Sequence, residues 1–327
     1  LDHHPHRLLE VSGIGRKKMD TMVSSWDVHR EQRAFLQYMV SVSVSVPIAK
    51  RIWKTHYGRA FDVCRHSPYQ LIHDVKGIGF AIADRIAGDH LAQSDARFHA
   101  ALLDVFYQYE STGHVWMPWQ ACFDQLMKRL ALDDTVLTDM IRHRVLAQDV
   151  SSMVDAEGLE WLTLPQWSQY EWDIMTHMDS MMHATPRVGI DAKKAVEWVL
   201  PRGNVVLSAD QMAALEGLCS HPVSLLYGGP GTGKTQLLRA YVDIVSKKTN
   251  RIVCMAPTGK AAKRLADQTG HRASTIHAMM VYDEANHTLT PHALSCDVCI
   301  IDEMSMVDMR LFYDVMCMVS AGVRLVL

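Results

Sequence analysis

Apolar and polar positions change rhythm twice along the chain. Up to about residue 90, apolar residues recur at three-to-four spacing in short runs broken by glycine, the pattern of short helices. Two runs resemble each other: LLEVSGIGRKKMDTMV (8–23) and LIHDVKGIGFAIADRIA (71–87). Each has an apolar pair, a polar spacer, Val, one residue, Gly-Ile-Gly and then a helix-like stretch. Between them VSVSVSV (40–46) alternates as a strand would, but its flanks are helical in period, and Ser45 two residues before Pro47 suits a helix start. A turn between helices is expected there. From Ala96 to Pro186 the pattern is helical with a few short extended pieces, and Trp116, Trp119, Trp161, Trp167 and Trp172 are expected to fill a core. After TPRVGIDAKK (185–194) the order becomes helix, strand VSLLYGG, helix, strand RIVCMAP, helix, strand DVCIIDE, helix, strand VRLVL. Apolar strands alternating with helices predict a parallel sheet covered on both faces. Three regions are expected, 1–95, 96–187 and 188–327.

Composition narrows the class. Of 327 residues, 48% are hydrophobic and 21% charged, which fits a globular protein and excludes wholesale disorder. No stretch approaches the ~18 apolar residues of a membrane span, and no basic-then-apolar leader opens the chain. Seven cysteines, an odd number thinly spread, point to a reducing cytosol and a cytoplasmic protein. With 33 Lys+Arg against 36 Asp+Glu, any nucleic-acid surface must be local. The chain begins at Leu1 and stops at Leu327 inside an apolar run, so a fragment is expected.

The strongest chemical signal is GGPGTGKT (228–235), which satisfies G-x-x-x-x-G-K-[ST] between an apolar strand and the helical QLLRAYVDIV. Such a loop folds its backbone round phosphate oxygens where glycine leaves room, at Gly228, Gly229, Gly231 and Gly233. The following helix points its free N–H groups at the same anion. Lys234 is expected on the β/γ-phosphates and Thr235 on Mg²⁺. CIIDE (299–303) supplies the second half. Asp302 would hold the metal through water, and Glu303 would take the proton of the attacking water. Cys296 and Cys299 form a C-x-x-C without a second Cys/His pair at suitable spacing, which disfavours zinc or redox chemistry.

The residues around the loop are informative together. LSADQMAAL (207–215) precedes it. APTGKAAKRL (256–265), TGHRASTIHAMM (269–280) and IIDEMSMVD (300–308) follow in order. This series resembles the first motifs of superfamily 1 DNA helicases of the RecD/TraA type, the exodeoxyribonuclease V alpha-chain family. The front of the chain resembles the long forms of that family, which carry tandem helix-hairpin-helix units before the motor.

The resemblance implies a multidomain fold: a tandem helix-hairpin-helix DNA-binding region (1–95), a mainly helical connecting domain (96–187) and an incomplete first RecA-like motor lobe (188–327). It implies an ATP- and Mg²⁺-dependent 5′–3′ helicase of DNA repair or recombination, not a membrane protein, working as a monomer or within a repair complex. Gln211 would read adenine, and the nucleotide would lie on Gly228, Gly229, Pro230, Gly231, Thr232, Gly233, Lys234, Thr235 and Gln236. Thr258, Gly259, Lys260, Thr275 and His277 would lie on the single-strand path. Gly13, Gly15 and Arg16 of the first hairpin, and Gly77 and Gly79 of the second, would meet DNA phosphates. The second hairpin lacks the basic residues that follow the first. Two rivals share these motifs: the helicase part of a conjugative relaxase-helicase, and a DNA-binding regulatory ATPase that does not unwind. With the second lobe missing, 1–327 alone is expected to turn over little.

Overall fold

The computed structural model describes residues 5–11, 15–199, 207–229, 231–283 and 288–327. Two compact units divide the chain, Leu1–Thr163 and Leu164–Leu327.

The first unit is mainly helical. A 3₁₀ turn (Pro5–Glu10) is followed by α1 (Arg16–Ser41), α2 (Val46–His56), α3 (Ala60–His66), α4 (Leu71–Asp74), α5 (Phe80–Ala87), α6 (Asp95–Glu110), α7 (Trp119–Leu130) and α8 (Asp134–Leu146). The serine–valine alternation ends α1 and starts α2, with Ser45 as N-cap and Pro47 in the first turn, so the turn expected there is present. Phe35 of α1 is fully buried and meets Trp53 of α2 at 5.5 Å and Phe61 of α3 edge-on at 5.2 Å, aromatic geometries that hold the three helices together. Three short strands, β1 (Met117–Pro118), β2 (Ser151–Val154) and β3 (Glu160–Thr163), make an antiparallel sheet in the order β1-β3-β2.

Arg97 of α6 ties this unit together. Its Nε donates to Asp84 Oδ1 at 2.8 Å and its Nη2 to Asp84 Oδ2 at 3.1 Å, while Nη1 donates to the Ala92 and Leu130 carbonyls. Tyr69 Oη donates to the same carboxylate at 2.7 Å. Burial alone pushes the Asp84 carboxyl up, but the hydrogen bonds from Arg97 and Tyr69 outweigh it and hold the group below the usual carboxylate range.

The second unit holds α9 (Pro165–His183), α10 (Ala192–Val199), α11 (Ala209–Ser220), β4 (Val223–Ser224), α12 (Lys234–Val245), β5 (Ile252–Ala256), α13 (Gly259–Thr269), β6 (Ala273–Thr275), β7 (Val281–Asp283), β8 (Thr288–Thr290), β9 (Val298–Ile301), α14 (Met309–Met318) and β10 (Arg324–Val326). Five strands form a parallel sheet in the order β4-β10-β9-β5-β6, and β7 and β8 form a separate hairpin. Successive strand residues face opposite layers. Val298 and Ile300 of β9, Cys254 of β5 and Val326 of β10 pack with Leu237, Tyr241 and Val245 of α12 and Leu265 of α13. Cys299, Ile301, Met255 and Leu325 pack on the other side with Val315 and Met318 of α14. A sheet wrapped on both faces explains why its strands read as unbroken apolar runs.

The boundaries expected at 95 and 187 do not coincide with the division at 163/164. Met181 of α9 is fully buried in the second layer of the sheet, with Ile174 and Met178 packed beside it, so α9 covers the parallel sheet rather than closing the helical unit. The expected tryptophan core is corrected. Trp167 is buried, Trp116, Trp119 and Trp161 are half-buried, and Trp172 is 61% exposed on the outer side of α9. The Trp161 indole keeps a polar contact, donating to Asp155 Oδ2 at 2.7 Å. Among the described residues, no helix is long and apolar enough to cross a membrane.

Candidate nucleotide site and nucleic-acid interface

Strand register brings the motifs to one end of the sheet. Val326 of β10 pairs with Ser224 of β4 on one side and Ile300 of β9 on the other. Counting three residues on from these partners reaches Tyr227, just before the glycine loop, and Glu303. The loop and the acidic pair therefore leave the sheet at the same level, with β10 between them. On the far side of β9, Met255 pairs with Ile301 and Ala256 of β5 pairs with Thr275 of β6. Thr258 and Thr275 thus leave the same carboxyl end, where parallel α/β sheets place their ligand sites.

The glycine loop has the shape of an anion cradle. Gly231 (φ 78°) and Gly233 (φ 84°) are left-handed, and a Cβ added at Gly233 would collide with Gln211 Nε2. Gly233 is the N-cap of the twelve-residue α12 and offers it no side-chain cap, leaving first-turn N–H groups for an anion. The loop's polar groups are turned on the loop itself. Lys234 Nζ donates to the Gly228 carbonyl and, at 3.5 Å, to the Gly229 carbonyl, and Thr232 Oγ1 donates to Gly229 O at 2.9 Å. A lysine lying over carbonyl oxygens is where phosphate oxygens would take their place, so glycines, helix terminus and cation all fit a nucleotide triphosphate. Thr235 opens α12 next to Lys234, and Gln236 follows it. Pro230 lies outside the described residues.

Each end of the Gln211 amide makes one hydrogen bond to the protein. Its Nε2 donates to the Thr232 carbonyl at 2.9 Å, and its Oε1 accepts from the Ser208 N–H in a capping box that starts α11. The residue expected to read adenine is a strut between α11 and the phosphate loop.

Asp302 and Glu303 follow β9 as expected. Asp302 N–H donates to Met255 O at 3.0 Å, and its Oδ1 accepts the Glu303 N–H at 3.0 Å. Glu303 is left-handed, φ 59°, a strained conformation for a non-glycine residue and one that clusters at functional sites. Its carboxylate faces Arg264 of α13, Nη1 to Oε1 3.6 Å.

The residues expected on the DNA path split by role. Thr258 is the N-cap of α13, its Oγ1 accepting the Ala261 N–H at 3.2 Å. Thr275 Oγ1 accepts the Ala278 N–H at 3.1 Å, bracing the turn that carries His277. Gly259, Lys260 and His277 are exposed. Replacing Thr258 by Ala should cost about 1 kcal/mol of stability by removing the cap, and Ser should restore it. Denaturant unfolding of both variants checks this.

In the helical unit, α4, the Gly77–Gly79 turn and α5 form a helix–hairpin–helix. Gly77 is left-handed at φ 90°, and Gly79 caps α5. The second hairpin does have a cation beside it, which sequence spacing missed. The Arg51 guanidinium of α2 lies 3.3 Å from where a Cβ on Gly77 would stand. Gly15 is the extended N-cap of α1 and Arg16 its exposed first residue. Gly13 lies outside the described residues.

The C-x-x-C pair sits in the sheet core. Both thiols are buried, that of Cys296 pushed up to about 11 and that of Cys299 raised well above the ordinary thiol range by burial.

These features define a class: a phosphate-loop NTPase lobe on a parallel sheet, following a helix-hairpin-helix region in the chain. The family described as ATP-dependent RecD2 DNA helicase HHH domain matches residues 28–116, which include the second hairpin but not the first, and an AAA domain family matches residues 211–327. The ATP-dependent RecD2 DNA helicase of Deinococcus radiodurans is 29% identical over 349 aligned residues, covering all of this chain and 47% of the relative. The RecBCD enzyme subunit RecD of Mycolicibacterium smegmatis is 32% identical over 145 residues, 36% of this chain and 26% of that one. The ATP-dependent DNA helicase dda of phage T4 is 36% identical over 94 residues, 26% of this chain and 21% of its own. These likenesses are to RecD-type and other ATP-dependent DNA helicases, and the chain spans less than half the length of its full-coverage relative.

Proposed function

We propose that the complete protein bearing this chain is an ATP-dependent DNA helicase of the cytosol that moves 5′ to 3′ along single-stranded DNA in repair or recombination. The observation that carries this reading is the shared level at which the phosphate loop, Asp302/Glu303 and the Thr258 and Thr275 segments leave one sheet. Nucleotide chemistry and strand contact then act on the same rigid element.

A bound ATP·Mg²⁺ would supply the phosphoanhydride bond and a charge-neutralising cation. The chain's own groups do the rest. The α12 terminus and Lys234 would stabilise charge on the transferred phosphoryl group, Thr235 and Asp302 would hold the cation and its water, and Glu303 would accept a proton from the attacking water. Gln211 fixes the loop to α11 and would reach adenine on release from Thr232. Lys260 and His277 face the strand, while Thr258 and Thr275 set the turns that present them. Gly77, Gly79 and Arg51 offer a phosphate contact that is independent of sequence, as do Gly15 and Arg16.

The test is strand displacement by the complete protein on duplexes tailed at the 5′ or the 3′ end. ATP-dependent opening of the 5′-tailed duplex alone is expected. Equal opening of both substrates sinks the direction. ATP turnover without opening of either favours the regulatory ATPase instead.

A further inference from the structure

Arg264 has two calls on its charge. It lies on the exposed face of α13 one turn after Lys260 and beside Lys263, a cationic row on the helix that Thr258 caps. It also holds Oε1 of Glu303, the expected proton acceptor. The strained backbone of Glu303, fixed by the hydrogen bond to Asp302 and by the 3₁₀ turn Met304–Met306 that follows, sends its side chain towards α13.

We infer that Arg264 is a positioning residue that exchanges between Glu303 and a DNA phosphate, so that strand binding frees the carboxylate for hydrolysis. The inference rests on the helicase reading. One guanidinium cannot serve both partners fully. In the absence of DNA it draws the carboxylate towards α13. When a backbone phosphate occupies the Lys260–Lys263–Arg264 row, the guanidinium is drawn off and Glu303 is released. Linkage makes the effect reciprocal: whatever removes the charge of Glu303 must strengthen DNA binding through Arg264. With Arg264 62% and Glu303 39% exposed, the pair is a weak latch, and the expected effects are correspondingly small, about two- to fivefold.

The decisive measurement needs no nucleotide. Fluorescence anisotropy with a labelled oligothymidylate is recorded for the complete protein, Glu303→Gln, Arg264→Ala and the double variant. Glu303→Gln is expected to tighten binding about two- to fivefold in the wild-type background and to change nothing in the Arg264→Ala background. Equal tightening in both backgrounds would mean simple loss of a negative charge and would overturn the exchange, as would no tightening at all. A second readout is ATP turnover without DNA. Arg264→Ala is expected to raise it by a similar factor and Arg264→Lys to raise it less. A fall, or an unchanged rate, overturns the latch. Failure of the wild-type protein to bind the oligonucleotide would sink the helicase reading itself, whereas binding without coupling sinks only the exchange.

Discussion

In the complete protein, Lys234→Ala is expected to lower DNA-stimulated ATP turnover by about 10²-fold or more while leaving the fold intact. Losing one preorganised charge-stabilising donor costs about 10²–10³ in rate elsewhere, and Lys234 contributes a full charge. The structure shows why the effect falls on chemistry rather than stability. Lys234 is the first residue of α12, and its Nζ rests on two carbonyls of the glycine loop. The buried layer beneath α12 is formed by Leu237, Leu238 and Tyr241, which the change leaves in place. The positive φ values of Gly231 and Gly233 and the uncapped end of α12 survive the change, so weak nucleotide binding should persist. Arg should rescue poorly, because a planar fork replaces a compact point charge in a loop with little room. Steady-state turnover with single-stranded DNA, read beside a thermal unfolding curve, checks this. Near-normal turnover in a folded variant would remove Lys234 from the phosphates. Strand opening that outlasts lost turnover would end the motor reading.

Arg97→Ala is expected to destabilise the helical unit by about 2–4 kcal/mol, somewhat below the cost of breaking a fully buried pair because both partners keep some exposure. The guanidinium side chain is 15% and the Asp84 side chain 25% exposed. The substitution leaves the Asp84 carboxylate with the Tyr69 hydroxyl, and it strips a donor from the Arg129 and Leu130 carbonyls at the end of α7, where intrahelical partners run out. The sign of the pH dependence follows from the depressed Asp84 carboxyl. Its stabilising contribution is complete above the unfolded carboxyl value of about 3.9 and is lost as pH falls through the lower folded value. The difference between wild type and Arg97→Ala should therefore be full at neutral pH and shrink below about pH 4. Denaturant titrations across that range measure it. A difference that grew on acidification would remove Asp84 as the partner responsible.

What could be read from sequence was what local spacing encodes. The glycine loop, the acidic pair after an apolar run, and the helix start at Ser45 each need only neighbours within a few residues, and each stands where expected. The helical front and the parallel sheet followed from period alone. What escaped was set by distant partners. The β6 strand is three residues of Ala-Ser-Thr, whose extended form comes from pairing with β5 and not from any apolar run. Trp172 carries the same apolar bulk as Trp167 but is turned to solvent, and nothing within a few residues of either tells them apart. Arg51 reaches Gly77 across 26 positions of sequence, and Arg264 reaches Glu303 across 39. The division at Thr163 was hidden for the same reason: a helical period says that α9 has a buried face, not which unit buries it.

The placement of β10 sets a gauge. It is the last strand in the chain and yet lies between the strand leading to the phosphate loop and the strand ending at Asp302. The gap between those two strand ends is therefore two interstrand spacings, ~9.5 Å. Backbone hydrogen bonds fix that span, and most side-chain replacements leave them unchanged. Residues around the sheet can drift to suit new partners while the working distance between loop and carboxylates stays calibrated by the main chain.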